Sequence, residues 1–247
     1  PLHPAYDGQR GPMSPLRSTS STTGGRPTTG QTTAPSAAPE PDPALLVTRD
    51  PDLLDEVGPE APTLCAGWTT SHLAAHLLIR ERRPSTAPGL MLGGPFARHT
   101  SRVLERVRVR TPYPDLVERV RTGPPAVTRP LDGSMNLVEY FVHHEDVRRA
   151  VDGWSPRTGL GDLDDLLWER QGGAPRFLVR RLSDVDLTLA RPDGDEKHIG
   201  GGAVSATLTG EPCELVLFLV GRRDHAVVEV TGDHRAVAEL RTGPLAL

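Results

Sequence analysis

The residues best suited to chemistry lie in the segment NLVEYFVHHEDVRRA, from Asn136 to Ala150. A helix is predicted here, so Glu139 and His143, four residues apart, lie roughly 40° apart on one face, and Asp146 returns to that stripe a turn later. Apolar residues flank the stripe on both sides, namely Met135, Tyr140, Val142 and Val147. Buried carboxylate and imidazole groups need partners, and a divalent metal would satisfy both.

A further ligand must come from a second segment, because this helix supplies two at most. The sequence WTTSHLAAHLLIR, from Trp68 to Arg80, predicts a helix that Thr69 or Thr70 can cap. His72 and His76 would project together from it, since they are four residues apart. Histidines therefore cluster in two otherwise apolar helical segments, which is where ligands lie inside a helical bundle.

Each of these residues also has a simpler explanation. A Glu and a His four apart occur by chance in many helices, as do two histidines, so either pair alone is weak evidence for a metal. Their joint occurrence between apolar flanks favours a metal site. His144 points roughly 100° away from His143 and is interpreted as a hydrogen-bonded wall residue. Asp146 is interpreted as a partner that orients an imidazole.

The runs GWTTSHLAAHL, RERRP and NLVEYFVHHEDVRRA together resemble the mycothiol-dependent maleylpyruvate isomerase family, in particular an actinobacterial branch of it. That family belongs to the broader DinB-like four-helix bundles. The resemblance implies that His76, Glu139 and His143 are the metal ligands. His72 occupies a position where relatives usually carry an acidic residue, so it is either a partner of a ligand or an alternative ligand.

Two domains are predicted after an N-terminal tail. Residues 1–43 are rich in Ser, Thr, Gly and Pro, a composition typical of disordered low-complexity sequence. Residues 44–175 are predicted to form an all-α, DinB-like four-helix bundle that binds the metal. Residues 176–247 change to an α+β pattern that resembles the sterol-carrier-like domain accompanying the bundle in the isomerase family.

Hydrophobic periodicity gives the individual elements. A loop is predicted for Pro84–Phe96, which is rich in Pro and Gly. Strands are predicted at Val185–Leu189, Val204–Thr209 and Ala226–Val230. The remaining predicted helices are Leu45–Val57, which Pro51 interrupts, Ala97–Arg110, Pro114–Arg121, Asp162–Arg170, Glu211–Val220 and Asp233–Arg241.

Three arginines are candidates for binding a substrate or a thiol cofactor. Relatives place an arginine in the site directly after an apolar helix, and Gly221 followed by Arg222 fits that position. The alternative for Arg222 is an exposed cation at a helix end, stabilised by the helix dipole. Arg80 and Arg83 follow His76 on one face and could bind carboxylates, or they form a solvated helix end.

Composition is typical of a soluble cytoplasmic protein. The net charge of −4 argues against binding to nucleic acid or to a membrane surface, which a clustered basic face would favour. Apolar runs such as Leu215–Val220 are far shorter than the roughly 20 residues of a membrane-spanning helix. Cys65 and Cys213 form no CxxC pair and are predicted to be small buried apolar residues.

Three protein ligands leave positions open for water or substrate, as in catalytic rather than structural zinc sites. Zn²⁺ is the predicted metal, although this donor set also suits Fe(II), Mn(II) or Ni(II). The family resemblance implies a mycothiol-dependent transferase or isomerase acting on a small electrophilic substrate. The alternatives are a metal-dependent hydrolase, in which Asp146 or His144 assists proton transfer, and a non-catalytic protein that binds a metal or an apolar ligand.

Overall fold

Helices account for most of the described residues up to residue 170. The computed structural model describes residues 51–82, 94–123, 133–170 and 184–243, without the side chains of residues 94–97 and 133–136. All of the described residues belong to one unit, Glu40–Leu247. The helices of the first three stretches are α1 (Pro51–Val57), α2 (Thr70–Arg82), α3 (Gly94–Arg110), α4 (Tyr113–Thr122), α5 (Gly133–Arg148) and α6 (Gly161–Arg170).

These helices confirm the periodicity read from the sequence, with ends that differ by a few residues. The loop prediction for Pro84–Phe96 is wrong at its end, because α3 already begins at Gly94. The first helix begins at Pro51, where a proline suits the first turn. The predicted tail, residues 45–50 of the first helix and residues 84–93 of the predicted loop lie outside the described residues.

The last described stretch combines a sheet with two helices. Its elements are β1 (Val185–Ala190), β2 (Glu196–Gly200), β3 (Val204–Thr209), α7 (Pro212–Leu219), a 3-10 turn (Arg223–His225), β4 (Glu229–Gly232) and α8 (His234–Thr242). The strand predicted at Ala226–Val230 is wrong in its position, because β4 begins only at Glu229. Strand β2 was not predicted, since Ile199 is its one buried residue.

The four strands lie in the order β2-β1-β3-β4. Strands β1 and β3 are parallel, whereas β2 pairs with β1 and β4 with β3 in antiparallel fashion. Val185, Leu187 and Leu189 of β1 are buried and alternate with half-buried polar residues, so one face of the sheet carries the core. Helices α7 and α8 pack into that core through Leu215, Phe218, Leu219, Ala236 and Leu240.

Helix α7 connects the sheet to the helices that precede it. All eight of its residues are buried, which is typical of a helix with neighbours on every side. Cys213, Val216 and Leu217 pack with Leu137 and Phe141 of α5. The C-terminal end of α7 therefore lies near the helix that carries Glu139 and His143. In the described residues, no helix combines the length and the apolar character needed to cross a membrane.

Gly232 lies where the backbone of β4 comes very close to that of β3. Its φ is +123°, and an added Cβ would lie 2.4 Å from the carbonyl oxygen of Ser205. Gly194 also has a positive φ, of +100°, but nothing lies within 4 Å of its added Cβ. We expect Gly194→Ala to lower the free energy of unfolding by about 1–2 kcal/mol, and Gly232→Ala by at least about 3 kcal/mol, because a clash adds to the backbone strain.

Urea unfolding of both alanine variants beside the unmodified protein measures this difference. Equal losses of unfolding free energy in the two variants would mean that the close approach of the added Cβ to Ser205 does not destabilise the fold.

Candidate metal centre

Helices α2 and α5 bring one carboxylate and two imidazoles to a single point. The Nε2 atoms of His76 and His143 each lie 3.2 Å from Oε1 of Glu139. His76 and His143 are 5% and 8% exposed, and their rings meet edge to face with centroids 5.0 Å apart. Glu139 and His143 share one face of α5, as the sequence spacing predicts, and His76 approaches them from α2.

Asp146 fixes the orientation of the His143 ring. Its Oδ2 lies 2.9 Å from Nδ1 of His143. The carboxylate is fully buried and accepts hydrogen bonds at 2.8 Å from both Nε and Nη2 of Arg222. Because a carboxylate paired with arginine only accepts hydrogen bonds, Nδ1 of His143 carries a proton and its Nε2 faces Glu139. In metal sites, a carboxylate bound to the other ring nitrogen in this way sets the tautomer and the ring orientation of a histidine ligand.

The turn after α7 explains how Arg222 reaches this position. Gly221 has a φ of +92°. Its N–H donates to the carbonyl of Phe218, and the N–H of Arg222 donates to the carbonyl of Leu217. This pair of bonds is a Schellman motif, which a glycine permits and which reverses the chain at a helix end. The Gly-Arg step thus directs the guanidinium to Asp146 on α5.

Arg222 lies at the end of α7, but it is not the exposed cation that one interpretation of the sequence expected. Its Nη1 donates to the carbonyl oxygen of Val220 at 2.8 Å, at the end of α7. Its other donors bind Asp146 rather than an open surface, and only 16% of its side chain is exposed. The arginine is therefore placed to hold the carboxylate that orients His143.

Cys65 belongs to the same cluster, which sequence reasoning missed. Its Sγ donates to Oδ2 of Asp146 at 3.2 Å and lies 3.5 Å from Nη2 of Arg222. The backbone N–H of Leu64 donates to the carbonyl of Asp146 at 2.9 Å and holds this loop on α5. The prediction that both cysteines are small buried apolar residues is wrong for Cys65, which is half-buried and surrounded by polar groups. No motif around Cys65 indicates this contact.

His72 lies outside the group formed by His76, Glu139 and His143. The backbone N–H of Thr69 donates to its Nδ1 at 3.2 Å, and the Thr69 hydroxyl lies at the same distance. Trp68 stacks on the His72 ring and also contacts the His76 ring, with centroids 6.4 and 5.3 Å apart. His72 therefore helps to start α2, and Trp68 covers one side of His76.

The other candidates occupy different surroundings. His144 turns away from His143, and its Nδ1 lies 3.5 Å from Oε1 of Glu145. Arg80 follows His76 by one turn, and its Nη1 lies 3.3 Å from Oε1 of Glu139. The Arg80 Nε is buried and has no hydrogen-bond partner among the described residues. Arg83 lies outside the described residues.

The electrostatics of the group follow from burial and from these contacts. Burial lowers the pKa of His76, which favours its neutral form. Burial also opposes the charge of His143, but hydrogen bonds with Asp146 and Glu139 outweigh it and raise that pKa well above its usual value. Burial opposes the charge of Glu139, but hydrogen bonds with His143 and His76 outweigh it and hold that pKa well below its usual value. For Asp146, bonds with His143 and Arg222 likewise overcome burial and lower the pKa to about 2.

Within the part of the chain that the structure describes, two sets of donors have the composition and spacing to hold a metal ion. They are His76, Glu139 and His143, and Cys65, His143 and Asp146, with donor atoms within 4.8 Å of one another in each set. The Arg222 guanidinium binds both carboxylate oxygens of Asp146 and contacts Cys65, so these donors are already occupied. Arg80, in contrast, contacts only one oxygen of Glu139. The first set contains two imidazoles and a carboxylate, which fits a divalent metal with open positions.

Comparison with known proteins identifies solved structures with a similar fold. No family model and no curated protein matches the sequence. A crystal structure of a mycothiol-dependent maleylpyruvate isomerase with a histidine-to-alanine mutation matches with a TM-score of 0.52 and 15% identity, over 75% of this chain and 90% of that one. Another crystal structure of a mycothiol-dependent maleylpyruvate isomerase has a TM-score of 0.44 and 16% identity, over 75% and 88% of the two chains. On the strength of the first match, this chain has a fold similar to that of the mycothiol-dependent maleylpyruvate isomerase.

Proposed function

We propose that this protein binds a divalent metal, Zn²⁺ in the first instance, through His76, Glu139 and His143. One observation carries the proposal: two imidazole Nε2 atoms from separate helices lie at the same distance, 3.2 Å, from one carboxylate oxygen. Chance spacing in a helix would not bring His76 of α2 to the pair on α5. The buried Asp146–Arg222 pair supports the proposal, because it fixes the ring orientation of one ligand.

The metal would serve a thiol-dependent transferase or isomerase that acts on a small electrophilic substrate. A divalent metal in such a centre lowers the pKa of a thiol or of water and polarises a carbonyl. The fold similarity to a mycothiol-dependent isomerase supports mycothiol as the thiol cosubstrate. In an isomerase the thiol adds to an activated double bond and leaves after rotation, whereas in a transferase it stays in the product.

The surrounding side chains have separate tasks in this proposal. Arg80, whose Nη1 lies beside Glu139 and whose Nε has no hydrogen-bond partner among the described residues, would bind a carboxylate of the thiol or of the substrate. Trp68 would keep water from one side of His76. Arg222 would act through Asp146 and not on the substrate itself. Arg83 stays a candidate for binding an anionic group.

The architecture proposed for this function has two parts. Residues 44–175 would form a DinB-like four-helix bundle, and residues 176–247 a sterol-carrier-like α+β domain, after a tail of residues 1–43. A cytoplasmic location would give the protein access to a low-molecular-weight thiol. The core that α7 shares with α5 and α6 would keep the two parts together.

Metal removal tests the function directly. The zinc-loaded protein is incubated with mycothiol and a panel of small activated alkenes and other electrophiles, and both free thiol and alkene geometry are followed. We expect turnover that a chelator abolishes and that added Zn²⁺ restores. An isomerase would leave the thiol concentration unchanged, whereas a transferase would consume it.

The same experiment separates the alternatives. Cleavage of esters or amides without thiol would identify a metal-dependent hydrolase. A chelator that lowers the melting temperature, in a protein with no turnover on any substrate, would identify a non-catalytic metal-binding protein. Thiol-dependent turnover that survives complete metal removal would contradict the proposal.

A further inference from the structure

A cavity of about 410 Å³ lies between helices α2, α3 and α4. Its floor is apolar and consists of Leu78 and Ile79 of α2 and Val107 of α3. Around α2, at about 100° per residue, Leu78 and Arg82 lie roughly 160° and 120° from His76 and Ile79 about 60°, and no residue that lines the cavity belongs to the candidate metal centre. This volume is within the range of pockets that hold small molecules, about 300–1,000 Å³.

Four arginines form the rim of this cavity: Arg82 of α2, Arg106 and Arg110 of α3, and Arg119 of α4. All four are exposed, and no Asp or Glu is among the described residues that line the cavity. Three helices thus direct cations to one apolar depression. A surface that served only solubility would mix both signs of charge along such a rim.

The structural role of Arg82 is evident from its hydrogen bonds. Its Nη2 donates to the carbonyl oxygens of Arg119 and Gly123, at 3.3 and 3.0 Å, which closes the C-terminal end of α4. Arg106, Arg110 and Arg119 make no side-chain hydrogen bond or ion pair with any residue that the structure describes. Neighbouring arginines differ, since Arg108 pairs with Glu105 and Arg121 with Glu118. As far as the described residues go, three guanidinium groups therefore have no partner and are available to a ligand.

We propose that this cavity binds an amphipathic anion, a small molecule with an apolar chain or ring and one carboxylate or phosphate head. The apolar part would cover Leu78, Ile79 and Val107, where burial of hydrocarbon is favourable. The head group would lie among Arg106, Arg110 and Arg119, whose planar guanidinium groups match carboxylate and phosphate oxygens. This site is separate from the candidate metal centre and does not depend on its function.

Calorimetric titration of the full chain with decanoate, below its micelle-forming concentration, tests the proposal. Decyl phosphate, decanol and acetate are titrated in parallel. We expect decanoate or decyl phosphate to bind at least about fivefold more tightly than decanol or acetate, because head and chain each contribute. The ratio of the two anions identifies the preferred head group.

A matched pair of double variants locates the binding. Arg106→Ser/Arg110→Ser removes two rim cations, and Arg98→Ser/Arg102→Ser removes two exposed cations of the same helix with the same spacing but outside the cavity. We expect the rim variant to bind the anions at least about tenfold more weakly, and the control to bind like the unmodified protein. A chelator should leave the affinity unchanged.

Several results would overturn the proposal. Unmodified protein that binds neither long-chain anion would do so, as would acetate that binds as tightly as decanoate. Equal affinities of the rim variant and the control would show that the anion binds elsewhere. Loss of binding on metal removal would assign the anion to the metal centre.

Discussion

Replacing His143 with alanine should weaken Zn²⁺ binding at least about a hundredfold. Loss of a group that merely orients a metal ligand costs about 10–100-fold in affinity, so loss of the ligand itself must cost more. His76→Ala should have an effect of similar size, because its Nε2 occupies the equivalent position on the other side of Glu139. Elemental analysis of protein purified without added metal, followed by competition with a chromophoric chelator, measures the change.

His72→Ala is the matched control for these variants. It removes an imidazole from the same helix as His76, but the Nδ1 of His72 is bound to Thr69 and its ring stacks on Trp68. We expect metal content to stay at the level of the unmodified protein. Near-stoichiometric metal in His143→Ala, with none in His72→Ala, would contradict the assignment and make His72 the ligand.

Replacing Arg149 with methionine should lower the free energy of unfolding by about 3–5 kcal/mol, the cost of breaking a buried ion pair by removing one partner. Arg149 is only 2% exposed. It donates two hydrogen bonds to Glu214 of α7, at 2.8 and 2.6 Å, and one to Glu145 at 2.6 Å. Chemical denaturation measures the loss, which should not depend on added metal.

The size of this effect depends on burial and not on the number of partners. Arg121 contacts three carboxylates, those of Asp52, Asp55 and Glu118, but 38% of its side chain is exposed. Arg121→Met should therefore have a much smaller effect, because water screens exposed pairs. The double variant Arg149→Met/Glu214→Gln should recover part of the stability, since it removes the buried unpaired charge. Equal losses for Arg121→Met and Arg149→Met would contradict this explanation.

Local periodicity was sufficient to predict the helices and the candidate metal donors on α2 and α5. Glu139 and His143 lie within a single segment, so the helical repeat alone places them on one face. His76 required the recognition of a second apolar segment of the same kind. The contact between the two segments depends on a core in which Leu73 of α2 and Val117 of α4 pack with Val147 of α5. The spacing of residues in the sequence does not predict that packing.

Contacts from loops and from distant parts of the chain were harder to predict. Cys65 reaches Asp146 across 81 positions of sequence. Arg149 and Glu214 were not singled out, because a charged residue in a helix usually indicates an exposed face. Strand β2 was missed because it is an edge strand with little apolar alternation. In each case the deciding interaction is tertiary, so neither propensity nor pattern encodes it.

The ion pair between Arg222 and Asp146 also limits where this chain can be truncated. A chain cut before β1 would retain every donor atom of the candidate centre, yet it would lack the guanidinium that neutralises a fully enclosed carboxylate. That carboxylate orients the His143 ring, so we expect the shortened fragment to bind the proposed metal ion less tightly. Any segment that replaced residues 185–247 would therefore need to supply a cation at the position of the Arg222 guanidinium.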